Sequence, residues 1–103
     1  MPYGLNHTII EQINGVFKNH TELDRVILYG SRAKGNYKNG SNIDLTIIGN
    51  QLELQLTNKI ENELDDLWLP YTFDVSIYSH IKNKNLLEHI NHIGKELYKK
   101  SKI

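Results

Sequence analysis

Residues 28–48 read LYGSRAKGNYKNGSNIDLTII. The second half, from Ile43 to Ile48, has the β-branched and aliphatic composition of a buried strand, yet it carries Asp44. Aspartate is depleted in strands and almost never fully buried without a partner. Either something cationic is held at Asp44, or the strand ends at solvent there. Side chains alternate across a strand, so Asn42 and Asp44 share one face about 6.6 Å apart, while Ile43, Leu45 and Ile47 share the other.

Working outward, RVILYG upstream reads as a short strand closed by Gly30, and YTFDVSIY downstream reads as a third strand by its alternation. In that third strand Phe73, Val75 and Ile77 take one face, Asp74 and Ser76 the other. If the second and third strands are neighbours, Asp44 and Asp74 approach each other on one polar surface. Two carboxylates so placed repel, or one stays protonated. A hard divalent ion such as Mg²⁺ removes the conflict, because it takes carboxylate oxygens together with water and phosphates.

Helical spacing accounts for most of the remaining apolar residues. Leu5, Ile9, Ile13 and Val16 predict an amphipathic helix over about 4–19. Leu52, Leu56, Ile60, Leu64 and Leu67 predict a second long helix that Pro70 stops. Leu86, Ile90, Ile93 and Leu97, flanked by Leu87, predict a last helix with lysines beyond its end. This stripe suits a core face, part of which could serve an interface. Helices interleaved with three strands give an α/β (α+β) domain over residues 1–103, a small sheet packed against helices. His89 and His92 lie three apart on the last helix, but with no third ligand apparent they read as surface or half-buried residues.

Lys plus Arg and Asp plus Glu are 12 each, so the net charge is about zero, against the basic excess of a general nucleic-acid-binding protein. The 103 residues contain no cysteine, which excludes disulfides and thiolate metal sites. The start MPYGLNHTII shows no signal-peptide pattern, and no run approaches the roughly 18 apolar residues of a membrane span. The expected location is the cytoplasm.

Gly30-Ser31 follows the first strand directly. Glycine allows a tight turn and a close backbone approach to a ligand. Ser31 is expected to cap a short helix in SRAKG, whose N–H groups would suit phosphate. Alone, such a pair is a common turn; its value lies in its spacing from Asn42 and Asp44.

Gly30-Ser31, ten residues, then Asn42-Ile43-Asp44 resembles the signature of the nucleotidyltransferase superfamily that includes DNA polymerase β. With the short chain and the late FDVSIY, it is similar to the minimal nucleotidyltransferases of prokaryotes over essentially its whole length. The resemblance implies that Gly30 and Ser31 hold the triphosphate of ATP and that Arg32, Lys34 and Lys38 lie where they can meet phosphate charge. It further implies that Asn42, Asp44 and Asp74 ligate magnesium, two ions in all, and that Asp74 helps deprotonate the attacking hydroxyl. One ion would activate the nucleophile and the other would neutralise the pyrophosphate.

The chain departs from the pattern at Asn42, where the family has its first aspartate. An amide can coordinate through its carbonyl oxygen but brings no charge, so affinity for at least one ion should fall. Glu22, Asp24 and the Asp65-Asp66 pair are the other acids that could make up the deficit. The resemblance implies a partner, a small all-helical HEPN-type toxin, and transfer of AMP from ATP to one of its tyrosines, the chain acting as antitoxin in a homo- or hetero-oligomer. The rival is a nucleotide-binding or protein-binding subunit that has lost catalysis; transfer to a small molecule is a third reading. Tyr3, Tyr37, Tyr71, Tyr78 and Tyr98 are available to stack a base.

Overall fold

The alternation in the three β-forming segments requires a sheet with one apolar face, and the amphipathic helices supply the layer that covers it. The computed structural model describes residues 2–101. Its main elements run α1 (His7–Lys18), β1 (Leu23–Tyr29), α2 (Ser31–Lys34), β2 (Ile43–Gly49), α3 (Leu54–Asp65), β3 (Phe73–Ile77), α4 (Lys84–Ile93) and β4 (Lys95–Lys99). The sheet order is β3-β2-β1-β4. β1 pairs antiparallel with β2 and β4, whereas β2 and β3 are parallel, joined by a crossover that contains α3.

α1 begins where Asn6 accepts the Ile9 amide N–H on its side-chain oxygen at 2.8 Å, an N-cap that sets the start later than the expected residue 4. Ile13 and Phe17 of α1, Ile60 and Leu64 of α3, and Val26, Leu28, Ile43, Leu45 and Ile47 of the sheet are buried together in one core. α3 stops at Asp65, five residues before Pro70. Glu61 on α3 accepts the Val75 N–H at 2.9 Å, which ties the helix to the edge strand β3. No helix among the described residues is long and apolar enough to cross a membrane.

The expectation that the last helix runs through Leu97 needs correction. α4 ends at Ile93, Gly94 turns the chain into an extended conformation (φ −55°, ψ 146°), and residues 95–99 form a fourth strand on the free edge of β1. The Ile93–Leu97 spacing fits a helix, but glycine weakens helix continuation, and β1 offers unpaired backbone groups. The register passes from Val26–Tyr98 to Ile27–Glu96, so Leu97 is the extra residue of a bulge. Leu97 still enters the core.

α4 packs on the opposite face of the sheet, where Ile90 is buried and Leu86, Leu87 and Ile93 are half-buried. The α4 stripe is thus only partly core.

Arg32 fastens the loop between α2 and β2. Its Nε and Nη2 donate to the Ser41 carbonyl at 3.1 and 2.9 Å, and its Nη1 donates to the Tyr3 carbonyl at 2.9 Å. The guanidinium lies 5.2 Å from the Tyr37 ring centre and 4.8 Å from that of Tyr71. The residue is 3% exposed, so its charge is stabilised by carbonyl dipoles and aromatic faces. Lysine cannot reproduce this fork. Arg32→Lys is expected to lower stability by about 2 kcal/mol, read from urea unfolding at pH 7.

Candidate functional site

Parallel pairing of β2 and β3 sets Asp44 opposite Asp74 in register. Neighbouring strands lie about 4.8 Å apart, so the two carboxylates emerge side by side on the face away from the main core. Asn42, one residue before β2, reaches the same place. Its Nδ2 donates to Asp44 Oδ1 at 2.7 Å and to Asp74 Oδ2 at 2.8 Å. One amide thus bridges carboxylates from two strands and supplies both with a donor.

Gly30 closes the other side. β1 ends at Tyr29, which pairs with Asp44, and Gly30 then turns the chain with φ 77° and ψ −156°. That region of backbone space is essentially glycine-only. A Cβ on Gly30 would also collide with Asp44 Oδ2. Glycine is therefore required twice over, by backbone conformation and by the carboxylate lying against it. Ser31 is the first residue of α2, and Gly30 stands at the cap position, where no side chain caps the helix. The expected capping role of Ser31 is corrected accordingly; its hydroxyl is left without that duty.

Two groups not singled out for the site join it. His89, half-buried on α4, accepts the Gly30 amide N–H on Nε2 at 2.8 Å. Its ring meets Tyr29 edge-on, with centres 6.2 Å apart. The Tyr29 hydroxyl lies 3.5 Å from Ser76 Oγ. The signal for His89 was present in the sequence, since it sits next to Ile90 on the flank of the apolar stripe and so faces the sheet. His92 is exposed.

Arg32 is spent on the Ser41 and Tyr3 carbonyls rather than presented to a ligand. Lys34 and Lys38 are exposed. Glu22 and Asp24 lie at the opposite end of β1, where Leu23 pairs with Gly49, and Asp65-Asp66 is exposed at the end of α3. None of these four acids joins Asp44 and Asp74. Tyr37 and Tyr71 stack on Arg32, Tyr98 packs against Phe17, and the Tyr78 hydroxyl donates to Asn91.

Burial pushes the Asp44 carboxyl above its ordinary value; the Asn42 hydrogen bond works against this, the Asp74 charge adds to it, and a charged His89 ring would oppose it. Burial also raises the Tyr29 phenol, opposed by its Ser76 contact and reinforced by the two aspartates.

Among the described residues, no group of three or more histidine, cysteine or acidic side chains is arranged to hold a metal ion. The donors nonetheless fit a hard divalent cation. Two carboxylate oxygens converge on a single point, now taken by the Asn42 amide nitrogen, and rotation of that amide would present its oxygen instead.

A family model described as Polymerase beta, Nucleotidyltransferase matches residues 11–103. No curated protein matches the sequence. Among solved structures, the chain is similar to one in a toxin–antitoxin crystallised with AMP-PNP, at 20% identity and a TM-score of 0.71, covering 93% of this chain and 75% of that one. It is similar to a chain in a complex of tri-AMPylated Shewanella oneidensis HEPN toxin with MNT antitoxin, at 15% identity and a TM-score of 0.69, covering 93% and 74%. A chain of an MntA–HepT toxin–antitoxin gives 14% identity, a TM-score of 0.69 and coverage of 92% and 74%. At these identities the likeness is one of fold.

A carboxyl whose folded-state pKa is raised costs stability once it ionises. The cost is fully present above the folded value and fades as pH falls through it toward the ordinary 3.8. Asp44→Asn is therefore expected to melt a few degrees above the parent protein at pH 7 without divalent cations, and level with it near pH 3. Thermal unfolding followed by circular dichroism checks both.

Proposed function

The chain belongs to the polymerase beta nucleotidyltransferase family, and from that premise we propose that it moves AMP from ATP onto a hydroxyl of a partner protein, a tyrosine of a small helical HEPN-type toxin, and so acts as an antitoxin. The observation that carries this reading is the in-register pair Asp44 and Asp74 beside the Gly30-Ser31 turn. The acceptor is supported by the solved complex in which an MNT antitoxin accompanies a tri-AMPylated HEPN toxin. Nucleotide binding is supported by the similar toxin–antitoxin crystallised with AMP-PNP.

In this reading Gly30 and Ser31 hold the triphosphate, with exposed Lys34 and Lys38 lending positive charge from the loop side. Arg32 contributes indirectly, by keeping the loop in place. The acceptor oxygen forms a bond to the α-phosphorus as the bond from that phosphorus to the pyrophosphate oxygen breaks. The hydroxyl proton passes to a carboxylate, and exposed Asp74 is the one a macromolecular acceptor can reach. Asp44, half-buried against Gly30, keeps the triphosphate turn and Asp74 in one frame. Magnesium held by Asp44, Asp74 and the Asn42 amide oxygen would supply neutralisation of the phosphate charge. ATP chemistry of this kind belongs in the cytoplasm, in a hetero-oligomer with the acceptor.

A second reading is favoured by the double hydrogen bond of Asn42, whose uncharged amide stands where the family pattern has an aspartate and gives both carboxylates a donor. There the chain binds nucleotide and partner without transferring.

Incubation with ATP, Mg²⁺ and a candidate HEPN-type partner protein, followed by intact-mass measurement, is expected to show adenylyl groups added to that protein. Asp44→Ala should abolish the gain with an unchanged circular dichroism spectrum; an unchanged gain would remove Asp44 from the site. Binding of the partner with no mass gain selects the second reading.

Asn42→Asp puts three carboxylates where the amide now bridges two. Without divalent ions it is expected to melt a few degrees below the parent, with millimolar Mg²⁺ restoring the loss and raising transfer. A melting point indifferent to Mg²⁺ would show that these side chains do not hold the ion.

A further inference from the structure

We propose that His89 is a positioning residue, whose imidazole holds the Gly30 peptide and thereby sets the attitude of the Gly30-Ser31 turn. The inference rests on the reading of that turn as the triphosphate holder. Pairing of β1 with β2 ends at Tyr29–Asp44, so the next amide, that of Gly30, has left the ladder. Its N–H is taken by His89 Nε2 at 2.8 Å, from a helix 59 residues further along the chain. A buried or half-buried backbone N–H needs such a partner. A nitrogen that accepts carries no hydrogen, so this contact calls for the ring hydrogen on Nδ1.

Two contacts then grip one residue. His89 fixes the peptide before the Gly30 Cα, and Asp44 Oδ2 lies against the Cα itself. Between them they hold the φ 77°, ψ −156° conformation, about which Ser31 and α2 would otherwise swing relative to Asp44. Tyr29, edge-on to the imidazole, limits its sideways movement. α4 is anchored independently: Ile90 is buried, and Asn91 accepts from the Tyr78 hydroxyl at 2.8 Å. The helix therefore brings a fixed acceptor to a flexible residue. His92, on the same helix but exposed, serves as the internal control.

The test compares His89→Leu, which cannot accept, with His89→Gln, whose amide oxygen can. AMP-PNP affinity is measured by calorimetry, and exchange of the Gly30 amide hydrogen by NMR. His89→Leu is expected to weaken AMP-PNP about tenfold and to speed Gly30 exchange by a similar factor. His89→Gln should keep both within about threefold of the parent, and His92→Leu should change neither. Equal affinity and equal exchange in His89→Leu would overturn the proposal. So would a His89→Gln variant as impaired as His89→Leu, since packing rather than acceptance would then be what matters. If the parent protein itself fails to bind AMP-PNP, the nucleotide reading falls, and the exchange comparison decides on the His89 contact alone.

Discussion

Two like charges on adjacent strands impose the constraint around which this molecule is arranged. Parallel pairing of β2 with β3 brings Asp44 and Asp74 together, and the charge of Asp74 adds to the burial that disfavours ionisation of Asp44. The Asn42 amide works against this by donating to both. A third acid at this position would add to the repulsion, whereas the amide gives both carboxylates a neutral donor from the chain itself. Its cost is charge: the site carries two carboxylates rather than three, and the amide oxygen faces them only if the amide rotates.

Around this pair the two faces of the sheet divide the work. The face packed on α1 and α3 carries the main core and is filled by Ile43, Leu45 and Ile47, the alternate residues of the strand that bears Asp44. The opposite face carries Asp44, Asp74, Tyr29 and Ser76, and is only partly covered by α4. Because strand side chains alternate, core and site share residues of one strand without competing for space. A one-residue slip of β2 would expose the isoleucines and bury the acid together, so the apolar core enforces the register that the site needs.

Much of this was legible in residue order alone. Period-two alternation around Asp44 and Asp74 told which face each occupies, and Gly30 after β1 marked the turn. Other parts were hidden for physical reasons. Leu97 sits at a spacing from Ile93 that suits a helix, and only the unpaired edge of β1 decides for a bulged strand. Arg32 belongs to a residue type that is ordinarily solvated, and its partners at positions 3, 37, 41 and 71 converge only in three dimensions. The acceptor role of His89 likewise depends on a contact across 59 residues. The alternation puts Asn42 beside Asp44, but the direction of its amide follows from having two oxygen acceptors in front of it.

The crossover through α3 bears on how the molecule acquires its chemistry. Asp44 and Asp74 stand thirty residues apart, and the parallel register that joins them cannot close by a local hairpin; the helix must first lie down on the sheet. Such non-local pairing draws on loop-closure entropy and tends to arrive late on a folding pathway. A partly folded chain could thus bring Gly30 to Asp44 through the β1–β2 pairing but would still lack Asp74 beside them, so the acidic pair assembles only with cooperative completion of the fold.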